Sequence, residues 1–164
     1  MNPAFIAPIY ILILFGGVFF ITYGRGQEQK RLTAQILSLF KGRIIETIND
    51  IKAESLVSGK RSKDAEQSHF KRCDVYILPD AVFIATYLPI FGMKVARRPL
   101  LITKNITGYS EFLASKILPD IKKINPDSFS KSVYIEYGES SLKNHSADIH
   151  LYGLTDAQRD YFRF

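Results

Sequence analysis

Residues 73–93 read CDVYILPDAVFIATYLPIFGM, with Asp74 and Asp80 the only charged side chains. A run this apolar is either a membrane span or a β-hairpin buried in a folded domain. As a span it would bury Asp80, costing up to about 2.5–3.5 kcal/mol at the bilayer centre, against about 0.3–0.6 kcal/mol gained per strongly apolar residue. Insertion energy leaves the matter open, and flanking charge decides it. Lys71 and Arg72 precede the run, while Lys94, Arg97 and Arg98 follow it, so a span would put one basic cluster on the wrong side.

The internal pattern is that of strands. Val75, Ile77, Val82, Ile84 and Thr86 are β-branched, and Tyr76, Phe83 and Tyr87 are aromatic. Between them lies LPDA, residues 78–81, with Pro79 where its fixed φ suits a tight turn. Pro89 and Gly92 end the second strand, and the apolar part of KVARRPLLITK (94–104) offers a third. The stretch predicts a hairpin at the centre of a β domain.

The N-terminus reads differently. Residues 1–24 contain no Asp, Glu, Lys, Arg or His, and the apolar run from Phe5 to Tyr23 is long enough to cross a hydrocarbon core of about 30 Å. No Lys or Arg precedes it and no A-x-A pattern follows, so an uncleaved anchor is expected rather than a secretory signal. Arg25, Lys30 and Arg31 come next, and the positive-inside rule then puts the C-terminal side in the cytoplasm and the N-terminus outside.

Between anchor and hairpin, Leu32, Ile36, Leu37 and Phe40 share one helix face within residues 27–41, and Gly42 suits a helix stop. A helix packed on the domain is favoured over one lying on the membrane surface. In residues 43–57, Ile44, Ile45, Ile48 and Ile51 fit a helical period, yet the Ile content also suits a strand, favoured in the N-terminal half. Residues 58–69 read as an exposed loop. Further strands are expected within 116–125, 130–139 and 146–154. Thr155 and Gln158 then form a capping box opening a short C-terminal helix, whose Tyr161, Phe162 and Phe164 need something to bury against.

The expected organisation is an anchor (1–24), a juxtamembrane linker or helix (25–42) and a β domain (43–164). The 164 residues suffice for one domain plus an appendage, and the 46% apolar content argues against disorder. The net charge of +6 is concentrated: residues 25–72 hold eleven Lys/Arg against six Asp/Glu, and 94–125 hold seven against two. Beside an anchor, such basicity marks the cytoplasmic side rather than a nucleic-acid partner. Cys73, the single cysteine, excludes an intrachain disulfide.

Six or seven strands in consecutive hairpins followed by one helix resemble the pleckstrin-homology-like (PH-like) superfold, over residues 43–164. The closest local similarity is the tail ADIHLYGLTDAQRDYF, where a last strand passes through Gly153 into a capped helix, as in small bacterial membrane proteins of that fold. The resemblance implies an α+β chain: a transmembrane helix, then a mainly antiparallel PH-like barrel closed by a C-terminal helix that gives Tyr161 and Phe162 core roles. It also implies binding of lipids, peptides or proteins rather than catalysis.

Motifs for chemistry are sparse. His69, His145 and His150 lack metal-ligand spacing, there is no glycine-rich phosphate loop, and no G-x-S-x-G elbow is present. NIT (105–107) and NHS (144–146) match the glycosylation sequon but matter only in a eukaryotic lumen. Cys73, at the start of an apolar strand, is expected to be buried. The candidate lipid- or anion-binding residues are Lys60, Arg61 and Lys63 in one loop and Lys94, Arg97 and Arg98 by another turn, set against general cytoplasmic-side basicity. The expected protein is a single-pass inner-membrane protein with a cytoplasmic, non-catalytic domain holding a protein or peptide partner, without cofactor or metal. The alternative is a lipid- or small-molecule-sensing domain with an apolar pocket.

Overall fold

The computed structural model describes residues 6–58, 69–115, 117–128, 131–138 and 146–163, without the side chains of 6–15, 57–58, 113–115 and 146. A continuous helix, α1 (Ile6–Phe40), leads in. It stops at Gly42, whose φ of +89° is a conformation glycine adopts freely, while Arg43 N–H donates to Phe40 O. Eight strands follow: β1 (Glu46–Ser58), β2 (Arg72–Ile77), β3 (Ala81–Ile90), β4 (Met93–Ala96), β5 (Leu100–Thr103), β6 (Asp120–Asn125), β7 (Val133–Gly138) and β8 (Ser146–Leu151). A 3₁₀ segment, Ile106–Ser115, separates β5 from β6, and α2 (Asp156–Asp160) closes the chain.

The run 73–93 is the expected hairpin. β2 and β3 pair antiparallel from Ile77↔Val82 to Arg72↔Tyr87, around the Pro79–Asp80 turn. Its density of apolar residues follows from burial on both faces of the sheet. Val75, Ile77, Val82 and Ile84 point into an inner core, while Leu78, Ala81, Phe83 and Ala85 point outward onto a second cluster with Ile36 and Phe40 of α1. Leu32 and Leu37 pack on that same cluster, so the helix face identified from spacing lies against the domain.

All pairings are antiparallel, in the order β4-β3-β2-β1-β8-β7-β6, with β5 beside β4 on the same edge of β3. β1 joins the two halves: its first part pairs with β2, and Ala53–Ser58 pair with β8. The change of partner follows an irregularity between Ile48 and Ile51, where Asp50 takes a φ of +58°. That extra residue lets Ile48 and Ile51, three apart, both face the inner core. Strand is therefore the outcome for most of 43–57. The inner core combines these residues with Val133, Ile135, Ile149 and Leu151 from the other half, so the sheet folds over on itself.

Two expectations are corrected. The barrel does not close among the described strands: β4/β5 and β6 remain the outer edges of an open sheet, bridged only by Leu101 N–H donating to Ile117 O at 2.9 Å. Of the terminal aromatics, Phe162 is buried in the inner core but Tyr161 is exposed. Among the described residues no helix is long and apolar enough to cross a membrane. Residues 6–15, within the run assigned to the span, are helical in backbone, and their side chains lie outside those described.

The capping box is present as expected. Gln158 N–H donates to Thr155 Oγ1 (3.2 Å) and Thr155 N–H donates to Gln158 Oε1 (3.0 Å), while Gln158 Nε2 donates to Glu46 Oε1 at 2.7 Å. The cap thus also ties α2 to the start of β1.

Candidate functional site

The seam where the sheet fails to close is a groove of about 420 Å³. Local chemistry opens it from both sides. After Thr103 the chain leaves the sheet, as Thr103 Oγ1 donates to Asp80 O (2.9 Å) and accepts Asn105 N–H (3.0 Å). Asn105 Oδ1 then accepts Gly108 N–H at 3.1 Å and starts the 3₁₀ segment, pinned by buried Tyr109 and Phe112. Opposite, Pro119 has no N–H to offer an adjoining strand. β6 is irregular between Ile121 and Lys123, which lets Ile121 and Ile124 both face inward.

The groove therefore has an apolar floor and a basic rim. Ile102 and Phe162, both part of the inner core, line it together with Ile121, Ile124, Ile106, Pro119 and Pro126. Around these stand Lys104, Lys122, Lys123 and Arg163, against the single carboxylate of Asp120. Arg163 is held by Asp127 and by Asp160 at 2.8 Å. Lys104, Lys122 and Lys123 form no ion pair among the described residues. Among the described residues β6 pairs only with β7, so it keeps an outer row of backbone N–H and C=O groups facing the seam, whereas on β5 the Leu101 N–H is taken by Ile117 O.

Of the basic residues singled out in the sequence, Lys94, Arg97 and Arg98 lie away from the groove lining. Lys60, Arg61 and Lys63 fall outside the described residues. Lys94 sits over the Tyr87 ring, 4.5 Å from its centroid, with its ammonium 3.7 Å from Asp50. Arg97 is buried, its N–H donating to Thr86 O at 2.8 Å, and Arg98 O accepts Thr86 Oγ1 at 2.7 Å. Lys94 thus belongs to an ion network, and the backbones of Arg97 and Arg98 fasten the β4–β5 connection to β3. The groove lysines were visible in sequence only as part of the basic excess in 94–125. The sharper signal is the Lys122–Lys123 pair inside an edge strand, a position where lysines discourage edge-to-edge pairing.

Two clusters of titratable groups lie elsewhere in the domain. At the β1 irregularity, Asp50 accepts the Tyr87 hydroxyl, lies 2.9 Å from Arg72 Nε, and takes its N–H to Asp74 Oδ1 at 2.7 Å. The Tyr87 hydroxyl above all, with Arg72 and Lys94, holds Asp50 below the usual carboxylate range, while burial pushes Tyr87 up. Near the β2–β3 turn, Tyr109 donates to Asp80 Oδ1 (2.6 Å) and Arg43 donates to both Asp80 (3.2 Å) and the Tyr109 hydroxyl (2.9 Å). Burial and the Asp80 hydrogen bond raise Tyr109 to about 12. All three shifts move away from neutrality, so these groups keep fixed protonation near pH 7 and brace the fold.

Cys73 is fully buried, as expected, and burial pushes its thiol up, away from the reactive thiolate. His150 stacks on Tyr152 and meets Tyr134 at a tilt, His69 is exposed, and His145 lies outside the described residues. Among the described residues no group of three or more His, Cys, Asp or Glu is placed to hold a metal. No protein-family model, curated protein or solved structure matches this chain.

Proposed function

We propose that this is a single-pass membrane protein whose PH-like domain binds an extended, acidic segment of a partner protein in the seam between β5 and β6. The observation carrying this reading is the groove itself: the open edge of β6 borders an apolar floor, and three lysines with no ion pair among the described residues line its rim. An extended chain added to β6 would satisfy its outer backbone groups, place alternate apolar side chains on the floor, and set acidic residues against Lys122 and Lys123. The PH-like reading is supported by the order of hairpins and by a capped C-terminal helix that leads Phe162 into the core. A non-catalytic role is supported by titratable clusters whose shifts lead away from neutrality.

The anchor rests on the apolar residues 5–23, and the cytoplasmic placement of the domain on Arg25, Lys30 and Arg31 beyond them. The inner membrane of a bacterial cell follows from the same reading. A second occupant, a small apolar molecule, is favoured by one observation: 420 Å³ falls within the usual range for such pockets.

The test is site-specific photocrosslinking in native membranes, with a benzophenone side chain at Lys123 and, as a control, at Leu56, an exposed position on β1. The expected result is a protein adduct from position 123 alone, weakened by Lys122→Glu and Lys104→Glu, with the crosslink mapping to an acidic stretch. Adducts only to lipid or to a small molecule would overturn the peptide reading in favour of the sensing alternative. A protease-accessible C-terminus in intact spheroplasts would overturn the topology.

A further inference from the structure

We infer that the tip of the β3–β4 hairpin enters the lipid surface beside the anchor helix, so that the domain is docked on the bilayer rather than swinging from a stalk. The inference rests on the anchor reading. The tip reads LPIFGM, residues 88–93, and projects Phe91, 89% exposed, and Met93, 38% exposed. Phe91 and Gly92 have φ values of +47° and +77°. A bulky aromatic side chain is a poor choice for that conformation, which Gly, Asn and Asp adopt more easily. Local folding accounts for neither the strained backbone nor the exposed ring at this position.

The position of the tip identifies what covers it. The Phe91 ring lies 6.4 Å from that of Phe19 in α1, within the apolar run assigned to the span. On the same stretch of helix, Val18, Phe20 and Ile21 are also exposed. The tip thus extends an apolar surface that the helix already presents. Tyr23 and Lys30 of α1 line a crevice with Met93 and Lys94 of β4, which fixes the level of the helix against the hairpin. From Tyr23 back to Phe19 is four residues, or about 6 Å at 1.5 Å per residue. With Tyr23 at the interface, Phe91 then reaches the boundary between headgroups and acyl chains, the depth at which amphipathic elements settle. Just behind it stand Arg25, Lys30, Arg31 and Lys94, against Glu28 and Asp50, a net positive collar at headgroup level.

The chain contains no tryptophan, so a single introduced Trp reports its own surroundings. Full-length Phe91→Trp, Phe20→Trp and Tyr161→Trp variants, matched by circular dichroism, are reconstituted into phosphatidylcholine–phosphatidylglycerol vesicles whose acyl chains are brominated at shallow or deep positions. Tyr161 serves as the distant control, because Gln158 ties α2 to Glu46, which pairs with Ile77 at the opposite end of the hairpin. The expected result is blue-shifted emission from position 91 with greater loss of intensity to shallow than to deep bromines, strong quenching at position 20, and water-like, unquenched emission at position 161. Quenching at 20 with position 91 behaving like 161 would overturn the inference while leaving the anchor intact. Blue-shifted emission at 91 without bromine quenching would also overturn it, since protein, such as a second copy, would then cover the tip. Absence of quenching at 20 as well would remove the anchor reading and this inference together.

Discussion

Phe40→Ala measures whether the end of α1 belongs to the domain or merely leads to it. Phe40 is 1% exposed, and its ring meets Phe83, Tyr109 and Phe112 edge-on, with centroids 5.7, 6.0 and 5.8 Å away. Truncating a buried Phe to Ala removes about 3–5 kcal/mol, transfer and cavity contributions together. Against a total stability of about 5–15 kcal/mol, that is a large fraction. With a guanidinium slope of about 4 kcal/mol/M, the unfolding midpoint falls by about 1 M. The assay is far-UV circular dichroism of the full chain in nonionic detergent, with Leu39→Ala as the neighbouring control on the exposed side of the helix, where Leu39 is 61% exposed. A Phe40→Ala midpoint no lower than that of Leu39→Ala would refute two-sided burial of β3 and return α1 to the status of a detachable stalk.

Asp50→Asn tests the bracing network at the β1 irregularity. The folded pKa of Asp50 is depressed from its ordinary 3.8, so its contribution is complete above that value and is lost as pH falls through the lower folded one. The variant should melt lower at pH 7 and show a flatter acid limb in thermal unfolding between about pH 5 and 2; limbs of equal slope would sink the assignment. Gly26→Leu tests how closely the helix lies on β4: even a Cβ at Gly26 would approach Val95 Cγ1 to 2.6 Å, so the leucine should destabilise by about 1–3 kcal/mol through overpacking. An unchanged guanidinium midpoint would mean the helix stands off the strand. Thr155→Ala should cost about 1 kcal/mol through loss of the cap, and less when Gln158 has already been replaced by Ala; full additivity in that double-mutant cycle would contradict the reciprocal box.

The parts of this fold legible in sequence were those governed by local chemistry. Pro79 marked the β2–β3 turn, Gly42 the end of α1, and Thr155 with Gln158 the start of α2, because each supplies a backbone conformation or a hydrogen bond within a few residues. Residues 43–57 were ambiguous for an identifiable reason. A strand irregularity puts Ile48 and Ile51 on one face three residues apart, the spacing that otherwise signals a helix. Ile121 and Ile124 repeat that disguise in β6. The 3₁₀ segment was missed because Tyr109 and Phe112 are held by the outer core, a tertiary partner that no local pattern in ITGYSEFLAS announces. The groove was missed for the same reason on a larger scale: residues 102–106, 119–126 and 162–163 meet only after the sheet has folded over.

Two rulers within the molecule bear on what the groove can bind. Ile102 and Thr103 pair with Val82 and Ala81, at the start of β3, whereas the hairpin tip lies at its far end beyond Ile90. Eight or nine strand residues at about 3.3 Å each separate the two by roughly 25–30 Å. The helix gives the same figure: Tyr23 packs near Met93 and Phe40 near Phe83, seventeen residues apart at about 1.5 Å each, or roughly 26 Å. With the tip in the headgroup layer, Lys104, Lys122 and Lys123 stand about three Debye lengths from the lipid charge at physiological salt, where that charge is screened. Their positive charge is then of no use to lipid headgroups, and it favours an acidic protein segment arriving from the aqueous side.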